Sequence, residues 1–271
     1  MRIVNASYWI LGVSLLLFIS CDKDDVTPSQ QSDLMTVAES VTDNNLYKVS
    51  LLAADTLFHG YNNLFFSVEQ LSNKQKLTSA NITLYPEMDM VTMRHSAPTE
   101  NPSELADVND LFEAAVVFIM PDTDDMKWRL KVNVESGGVA DSVWLTIPKV
   151  KSLDEPKIIN FISAADSTTK YFVSLVEPFD PKVGINDFEV AVHYKKTMMS
   201  FPADEDVTVA IDPQMPSMDH GSPNNVNPVH DQNGHYKGKV NFTMTGWWRV
   251  YLDLEKDGKK LTDGTYIDIT F

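Results

Sequence analysis

The sequence predicts an all-β protein made of two tandem immunoglobulin-like β-sandwiches. Apolar and polar side chains alternate with a period of two in several short segments, such as Phe188–Tyr194 and Trp248–Leu254. Turn-forming pairs such as Asp257-Gly258 separate these segments. The chain also matches itself in two halves of about a hundred residues, the size of an immunoglobulin-like sandwich. Only Asn101–Asp110 carries a weak helical signal beyond the N-terminal region.

The internal repeat defines the domain organisation. Many short matches run in the same order through both halves: Tyr47–Leu51 with Tyr171–Leu175, Gly60 with Gly184, Met93-Arg94-His95 with Met218-Asp219-His220, Phe118-Ile119-Met120 with Phe242-Thr243-Met244, and Trp128 with Trp248. So many matches in one order are not expected by chance. We therefore predict a first sandwich over residues 45–148, a linker over 149–168 and a second sandwich over 169–271.

The N-terminus predicts export and lipid attachment. Arg2 precedes an apolar run from Tyr8 to Ile19, which is the pattern of a signal peptide spanning residues 1–20. The run is shorter than the ~20 residues of a membrane-spanning helix. Leu17–Cys21 resembles a lipobox, although Phe18 stands where leucine is usual, and Cys21 is the single cysteine of the chain. We expect Cys21 to carry a lipid anchor; the alternative is an ordinary signal peptide that happens to contain a cysteine.

Composition narrows the function classes. The chain has a formal net charge of -16. The predicted signal peptide contains one base and no acid, so its removal leaves the protein strongly acidic. An acidic surface repels phosphate groups, and nucleic acid is therefore not an expected partner. One cysteine excludes an internal disulfide and a thiolate cage.

Residues 21–44 are polar and predict a flexible tether. Acids after Cys21 resemble the surface-export signal of Bacteroidota lipoproteins, although any polar tether would look similar. The expected location is the cell envelope, on the periplasmic face of the outer membrane or on the cell surface.

Methionine is concentrated in two polar loops that correspond in the repeat. Five of the 12 methionines lie in Met88–His95 and Met215–His220. Methionine is ordinarily a core residue, and polar loops seldom concentrate it. Thioether sulfur is a soft neutral ligand and imidazole is borderline, a combination that suits Cu(I) better than zinc, calcium or magnesium. The loops therefore predict copper as the cofactor or cargo.

The second loop and the segment after it resemble a known family. Met215-Pro216-Ser217-Met218-Asp219-His220, Gly234-His235-Tyr236, Phe242-Thr243-Met244 and Gly246-Trp247-Trp248 are similar to YtkA-like and FixH-like domains. These are small periplasmic β-sandwich domains associated with copper handling or cytochrome oxidase assembly, so the resemblance implies partners of those classes. It also implies two sets of candidate ligands: Met215, Met218, His220 and Met244 in the second half, and Met88, Met93, His95 and Met120 in the first.

The first half departs from the family pattern, and the alternatives stay open for both halves. Two extra residues separate Met88 from Met93, and no Gly-x-Tyr precedes Phe118. Met120 and Met244 continue core-facing alternation, so each suits core packing as well as a ligand role. His230 and His235 fall in the next loop, where they would complete a site or be solvated.

The sequence predicts a binding protein and not an enzyme. It contains no nucleophile elbow, zinc-protease helix, P-loop or dinucleotide fingerprint. The first hypothesis is a membrane-anchored, non-enzymatic lipoprotein that binds or delivers Cu(I). The alternative is a structural or ligand-binding surface lipoprotein whose methionine-rich loops only pack the core.

Lipidation at Cys21 is tested by Cys21→Ala in the full chain. We expect the variant to be released into the soluble fraction or to accumulate as uncleaved precursor, because the acyl acceptor is gone. Membrane fractionation with immunoblotting measures the outcome, and Ser20→Ala, which keeps a small residue before the cysteine, is the control. A Cys21→Ala protein that is cleaved and still fractionates with membranes contradicts the prediction.

Overall fold

The computed structural model describes residues 34–90, 92–262 and 264–271, all within one compact unit. The predicted signal peptide, Cys21 and the beginning of the tether lie outside the described residues. Twenty strands and no helix occur in the described part of the chain, so the prediction of an all-β fold is confirmed. Residues 101–110, where the sequence carried a weak helical signal, form turns and one β-bridge instead, and that expectation was wrong.

Two antiparallel sheets form the first sandwich. Its strands are β1 (Met35–Val41), β2 (Tyr47–Ala53), β3 (Gly60–Gln70), β4 (Gln75–Lys76), β5 (Asn81–Asp89), β6 (Arg94–His95), β7 (Thr99–Glu100), β8 (Phe112–Phe118), β9 (Lys127–Ser136) and β10 (Val139–Thr146). One sheet has the order β1-β2-β3-β8-β7, with β4 paired to β3, and the other has the order β10-β9-β5-β6. Alternate residues of β2, β5 and β9 are buried, which places the core between the sheets.

The second sandwich repeats this arrangement. Its strands are β11 (Ile158–Ile162), β12 (Lys170–Glu177), β13 (Gly184–Tyr194), β14 (Thr208–Met215), β15 (His220–Gly221), β16 (Val226–His230), β17 (His235–Phe242), β18 (Trp247–Lys256), β19 (Lys259–Lys260) and β20 (Thr265–Thr270). One sheet has the order β11-β12-β13-β17-β16, and in the other β14 and β20 flank β18, with β15 and β19 as short additions.

The strand order is that of an immunoglobulin-like sandwich. In that fold the first, second, fifth and fourth strands form one sheet and the third, sixth and seventh form the other. The paths β2-β3-β8-β7 and β5-β9-β10 reproduce this order in the first half, and β12-β13-β17-β16 and β14-β18-β20 reproduce it in the second. Each half adds one edge strand, β1 or β11, beside the first strand of the fold.

Residues that match in the sequence repeat occupy equivalent positions. Gly60 begins β3 and pairs with Phe118, and Gly184 begins β13 and pairs with Phe242. Both glycines have positive φ angles, 142° and 109°, a region that favours glycine. The glycine at the start of this long strand is therefore explained by backbone conformation in both halves.

An asparagine two residues after each glycine pins the entry to the strand. The Asn62 side-chain amide donates to the Phe58 and Gly60 carbonyls, at 2.8 Å each, and its oxygen accepts from the Phe58 N–H at 2.9 Å. Asn186 makes the same three bonds to Lys182 and Gly184. In each half one side chain thus satisfies three backbone groups of the turn that leads into the strand.

The two sandwiches share apolar contacts. Ile158, Phe172 and Phe201 belong to the second half of the chain but are buried in the hydrophobic cluster of the first sandwich. Phe172 packs edge-on against Phe201, with ring centroids 5.7 Å apart. Burying aromatic side chains contributes free energy roughly in proportion to the apolar area removed from water. The pairing of the sandwiches is therefore stabilised by hydrophobic contact.

Two predicted boundaries need correction. The tether was predicted to reach residue 44, but Met35–Val41 forms β1 and pairs with β2. The linker was predicted over 149–168, but Ile158–Ile162 forms β11 and pairs with β12. Both segments are edge strands without the period-2 alternation that reveals a strand in the sequence. No side chain of β1 is fully buried, and β11 is apolar at every position except Asn160.

The role of Asn62 is tested by Asn62→Ala. The change leaves buried backbone groups of Phe58 and Gly60 without partners, so the free energy of unfolding should fall by about 1–3 kcal/mol. Urea denaturation of the chain from residue 22 measures the difference. The neighbouring Asn63 is exposed, and Asn63→Ala should change stability by no more than about 0.5 kcal/mol. Equal effects of the two substitutions would contradict this account of the turn.

Candidate functional site

A β-hairpin in each sandwich brings one methionine opposite one histidine. Met88 at the end of β5 pairs with His95 in β6, and Met215 at the end of β14 pairs with His220 in β15. Directly opposed residues of antiparallel strands lie on the same face of the sheet, with Cβ atoms about 4.5–5.5 Å apart. The structure therefore brings together two Met/His pairs, Met88 with His95 and Met215 with His220, in corresponding positions.

The loop methionines do not join these pairs in the described conformation. Met93 and Met218 lie in the hairpin turns and are 53% and 57% exposed. The Met218 N–H donates to the Met215 carbonyl at 3.0 Å, which closes the turn and places the Met218 side chain at its outer end. The sequence predicted that Met215, Met218 and His220 form one cluster; the hairpin places Met215 and His220 in register and leaves Met218 in solvent.

A buried tryptophan flanks each pair. His95 lies edge-on to Trp128 with ring centroids 5.2 Å apart, and His220 lies edge-on to Trp248 at 5.9 Å. Edge-to-face packing at this distance is the favoured arrangement for aromatic rings. Both tryptophans are fully buried and hold the histidine rings against the end of the core.

The last predicted ligands, Met120 and Met244, are joined to these clusters through their backbone. The Trp128 indole N–H donates to the Met120 carbonyl at 2.9 Å, and the Trp248 indole N–H donates to the Met244 carbonyl at 3.0 Å. The Met120 side chain is partly buried against the first core. Met244 is 36% exposed, so its expected core-facing position was wrong, because β17 ends at Phe242. The hydrogen bond from tryptophan satisfies a buried N–H and fixes the loop that carries each methionine.

His95 has the protonation geometry of a metal ligand. Its Nδ1 lies 2.8 Å from the Ser96 carbonyl, which can only accept, so Nδ1 carries the proton. Burial lowers the pKa of His95, the bond to Ser96 opposes that effect, and the positive charge of Lys195 lowers the pKa further. The neutral ring keeps its free lone pair on Nε2, which is buried and has no hydrogen-bond partner within the part of the chain that the structure describes.

An orphaned imidazole nitrogen beside a thioether fits a soft metal ion. Metal-bound histidines usually donate their other ring N–H to a carbonyl or carboxylate, which fixes the tautomer and the orientation of the ring. The Ser96 carbonyl does this for His95, and Met88 supplies a sulfur on the same face of the hairpin. The pair provides neutral, soft and borderline donors, the donor set suited to Cu(I).

Met88 and Met215 also belong to the hydrophobic cores. Met88 is fully buried in the cluster of the first sandwich, and Met215 is buried in that of the second. A Cβ placed on Gly246 would lie 3.2 Å from the Met215 methyl carbon, so the loop after Met244 closes over this side chain. Met88 and Met215 thus each fill one end of a sandwich. The histidine beside Met88 borders the other sandwich, and the histidine beside Met215 borders solvent.

His235 forms an ionic bridge between the two sandwiches that the sequence did not reveal. Its Nδ1 lies 2.6 Å from Glu189 Oε1, and its Nε2 lies 2.7 Å from Glu100 Oε1. Both nitrogens face carboxylates, which accept, so the ring is an imidazolium. Glu189 is on β13 of the second sandwich and Glu100 is on β7 of the first. The expectation of a loop histidine that is solvated or completes the copper site was wrong, because β17 begins at His235.

The bridge lies in a polar cluster that controls its protonation. Burial alone would lower the pKa of His235, but the hydrogen bonds and charges of Glu100 and Glu189 outweigh it and raise the pKa to about 9. Burial would raise the pKa of Glu100, and His235 holds it below the usual range. The Tyr61 hydroxyl donates to Glu100 at 3.2 Å. Neighbouring His193 is buried, the described residues offer its Nδ1 no hydrogen bond, and its burial lowers its pKa to about 4.

The Gly-x-Tyr segment positions this bridge. Gly234 has a φ of 75°, and a Cβ there would lie 2.7 Å from the Val192 carbonyl, so only glycine fits without displacement of β13. The Tyr236 hydroxyl donates to the Asp204 carbonyl at 2.8 Å and accepts from the Val207 N–H at 3.0 Å. His235 is thus held between two fixed neighbours. The matching position in the first sandwich is Leu111, which cannot form an ion pair.

Two structural features are absent from the described residues. No group of three or more histidine, cysteine, aspartate or glutamate side chains is arranged to hold a metal ion within residues 34–90, 92–262 and 264–271. The same ranges contain no helix that is both long enough and apolar enough to cross a membrane.

The fold and the paired hairpins define a class of protein with two immunoglobulin-like sandwiches and a Met/His pair at one end of each. Residues 166–253, which include most of the second sandwich, match the family model described as YtkA-like. No curated protein sequence is detectably similar to the chain.

Two solved structures align with most of the chain at low similarity. One is invasin, a bacterial integrin-binding protein, with 14% identity and a TM-score of 0.25; the alignment covers 83% of this chain and 39% of the invasin chain. The other is domains 5–6 of the S-layer protein SbsC, with 10% identity and a TM-score of 0.29; it covers 87% of this chain and 99% of that chain.

The His235 bridge predicts a stability maximum near neutral pH. The imidazolium is favoured by folding, so its contribution is full below pH 6.5, the unfolded pKa, and is lost as pH rises through about 9. That loss should be on the order of 3 kcal/mol. Buried neutral His193 has the opposite effect, and stability should decline as pH falls from 6.5 towards 4. Urea denaturation from pH 4 to 10 measures both limbs.

The matched variants for this prediction are His235→Gln and His230→Gln. His235→Gln cannot carry the charge, so the alkaline limb should flatten and stability at pH 7 should fall. His230 is an exposed histidine on the adjacent strand, and its substitution should leave the profile unchanged. An alkaline limb of the same size in the wild type and in His235→Gln would show that the bridge does not contribute.

Proposed function

We propose that this chain is a membrane-anchored, exported lipoprotein that binds or delivers Cu(I) through the two Met/His pairs, without enzymatic activity. The observation that carries the proposal is the buried Nε2 of His95, which has no hydrogen-bond partner among the described residues and belongs to the residue directly opposite Met88 in the hairpin. A buried nitrogen without a hydrogen bond costs free energy, and metal coordination is one way in which proteins use such an atom.

The residues that would hold the metal are Met88 and His95 in the first sandwich and Met215 and His220 in the second. Exposed Met93 and Met218 at the hairpin tips are suited to capture and release of an ion, since their side chains extend into solvent. Thioether and neutral imidazole donors carry no charge, so the net charge of the loaded site is that of the Cu(I) ion alone. Such a site favours transfer of the ion to a partner over its permanent retention. Trp128 and Trp248 limit water access from the core side.

The wider assignment extends the YtkA-like match of the second sandwich. The resemblance to FixH-like domains and the equivalence of the two hairpins support the first sandwich as a divergent copy of the same domain. Cys21 and the acidic residues after it support a lipoprotein of the Bacteroidota type, located at the outer membrane, on its periplasmic face or on the cell surface. Copper exporters or oxidase-assembly proteins are the expected partners.

The alternative is a structural or ligand-binding surface lipoprotein that binds no metal. The observation in its favour is that Met88 and Met215 are core residues of their sandwiches. Methionine fills irregular gaps in cores, and this role requires no sulfur chemistry. The two functions predict different effects of a methionine-to-leucine substitution on metal binding, because leucine keeps the packing volume of methionine but removes the sulfur.

A Cu(I) competition titration against a chromophoric chelator, without oxygen, tests the proposal on the chain from residue 22. The wild type should bind one ion at each hairpin. Met88→Leu and Met215→Leu should each weaken binding at one hairpin by at least roughly tenfold, the lower end of losses seen when support for a metal ligand is removed. Met35→Leu, at an exposed methionine on β1, is the control.

The comparison decides between the two functions. If Met88→Leu and Met215→Leu bind Cu(I) as the wild type does, or if the wild type binds none, the methionines serve packing and the copper proposal is wrong. Loss of binding in His95→Gln with retained thermal stability would add direct support, because that change removes the nitrogen while keeping a polar side chain.

A further inference from the structure

The connection after β13 presents two methionines that belong to neither hairpin. Lys195–Ser200 forms a tight turn in which the Lys196 N–H donates to the Ser200 carbonyl at 3.0 Å and the Met199 N–H donates to Thr197 Oγ1 at 3.2 Å. Met198 and Met199 at its tip are 36% and 54% exposed. The corresponding connection of the first sandwich, residues 71–80, contains no methionine. These residues are therefore not explained by the internal repeat.

This turn lies against the hairpin of the other sandwich. The Ser96 N–H donates to the Met198 carbonyl at 2.9 Å, and the carbonyl of the same Ser96 accepts from the His95 ring. Lys195 is close enough for its charge to act on His95. A single residue of the first sandwich thus links the histidine ring on one side to the Met198 backbone on the other.

The His95 nitrogen that faces away from Ser96 needs a partner. It is buried, with His95 only 3% exposed, and the described residues offer it no hydrogen bond. The groups that the structure places around His95 are Met88 across the hairpin, the edge of Trp128 and the backbone of the turn that carries Met198. Met88 and Met198 each carry a thioether, a group that does not donate hydrogen bonds but binds soft cations.

We propose that Met198 supplies a ligand from the second sandwich to the soft-cation site of the first, so that this site consists of Met88, His95 and Met198 across the interface. This inference rests on the proposed function and extends it. The ligand set at the first hairpin would be incomplete without the second sandwich, whereas the second hairpin would need no ligand from the first sandwich. The ligand class is a monovalent soft cation, Cu(I) or its redox-inert analogue Ag(I).

A site shared across the interface couples metal binding to the pairing of the sandwiches. A ligand that binds only the paired state stabilises that state by mass action. The His235 bridge to Glu100 and Glu189 and the apolar contact of Phe172 with Phe201 hold the same pairing without metal. Together these contacts would preorganise the three ligands, which lowers the cost of ordering them on binding.

Ag(I) titration of the chain from residue 22, labelled with ¹³C at the methionine methyl groups, tests the shared site by NMR. The Met88 and Met198 methyl signals should shift together and saturate at one equivalent at this site, while Met215 reports the second hairpin separately. Single Met→Leu variants assign the signals. Met198→Leu should weaken Ag(I) binding measured at Met88 by at least roughly tenfold, and Met199→Leu, at the neighbouring exposed methionine, by less than about twofold.

The possible outcomes distinguish failure of the shared site from failure of the proposed copper-binding function. If Met88 shifts and Met198 does not, or if Met199→Leu has the larger effect, the shared site is wrong and copper binding at the hairpin stands. If neither Met88 nor Met215 responds to Ag(I), the proposed function itself fails. Each variant without metal should unfold at the same urea concentration as the wild type. A changed response to Ag(I) then does not come from unfolding.

Discussion

The imidazolium of His235, held between Glu100 of one sandwich and Glu189 of the other, is the interaction on which the arrangement of this protein depends. Its three charged groups are largely removed from water, so each would be costly alone. Together they form two short charge-assisted hydrogen bonds of 2.6 and 2.7 Å. Removal of one partner from a buried ionic pair typically costs about 3–5 kcal/mol. The bridge therefore favours a single relative placement of the sandwiches over others with similar apolar contact.

That placement has consequences at the candidate metal site. The connection after β13 meets the hairpin of the first sandwich, and Met198 bonds to Ser96 beside His95. The second hairpin, Met215 with His220, receives no such contact among the described hydrogen bonds and ring contacts, and Met218 remains at its exposed tip. Two hairpins of common design thus stand in different surroundings: one is buried against a neighbouring domain and the other borders solvent. Such a difference in access and ligand number is a physical basis for a difference in affinity.

Much of the fold could be predicted because it rests on local patterns. Alternation in Trp248–Leu254 marks a strand with one buried face, and Asp257-Gly258 marks a turn. The matching Gly60 and Gly184 mark positions that need a positive φ. Edge strands β1 and β11 were missed because neither shows alternation of apolar and polar residues. The segment around Asn101 was assigned weak helix because its local propensity was overridden by its tertiary contacts. Met88 and His95, and Met215 and His220, are cross-strand partners because a short connection joins the two strands of each hairpin; their role as ligands stays a prediction.

The sequence by itself determined the all-β class, the two repeated sandwiches and the concentration of methionine and histidine in two hairpins. Each of these follows from residue types and spacings within a few positions of one another. Only the tertiary structure decided that His235 bridges the sandwiches, that His95 keeps an unpartnered nitrogen and that Met198 lies beside its hairpin. Glu100 and His235 are 135 residues apart in the chain. No local pattern encodes such a meeting, because it depends on how the outer faces of two finished sandwiches pack together.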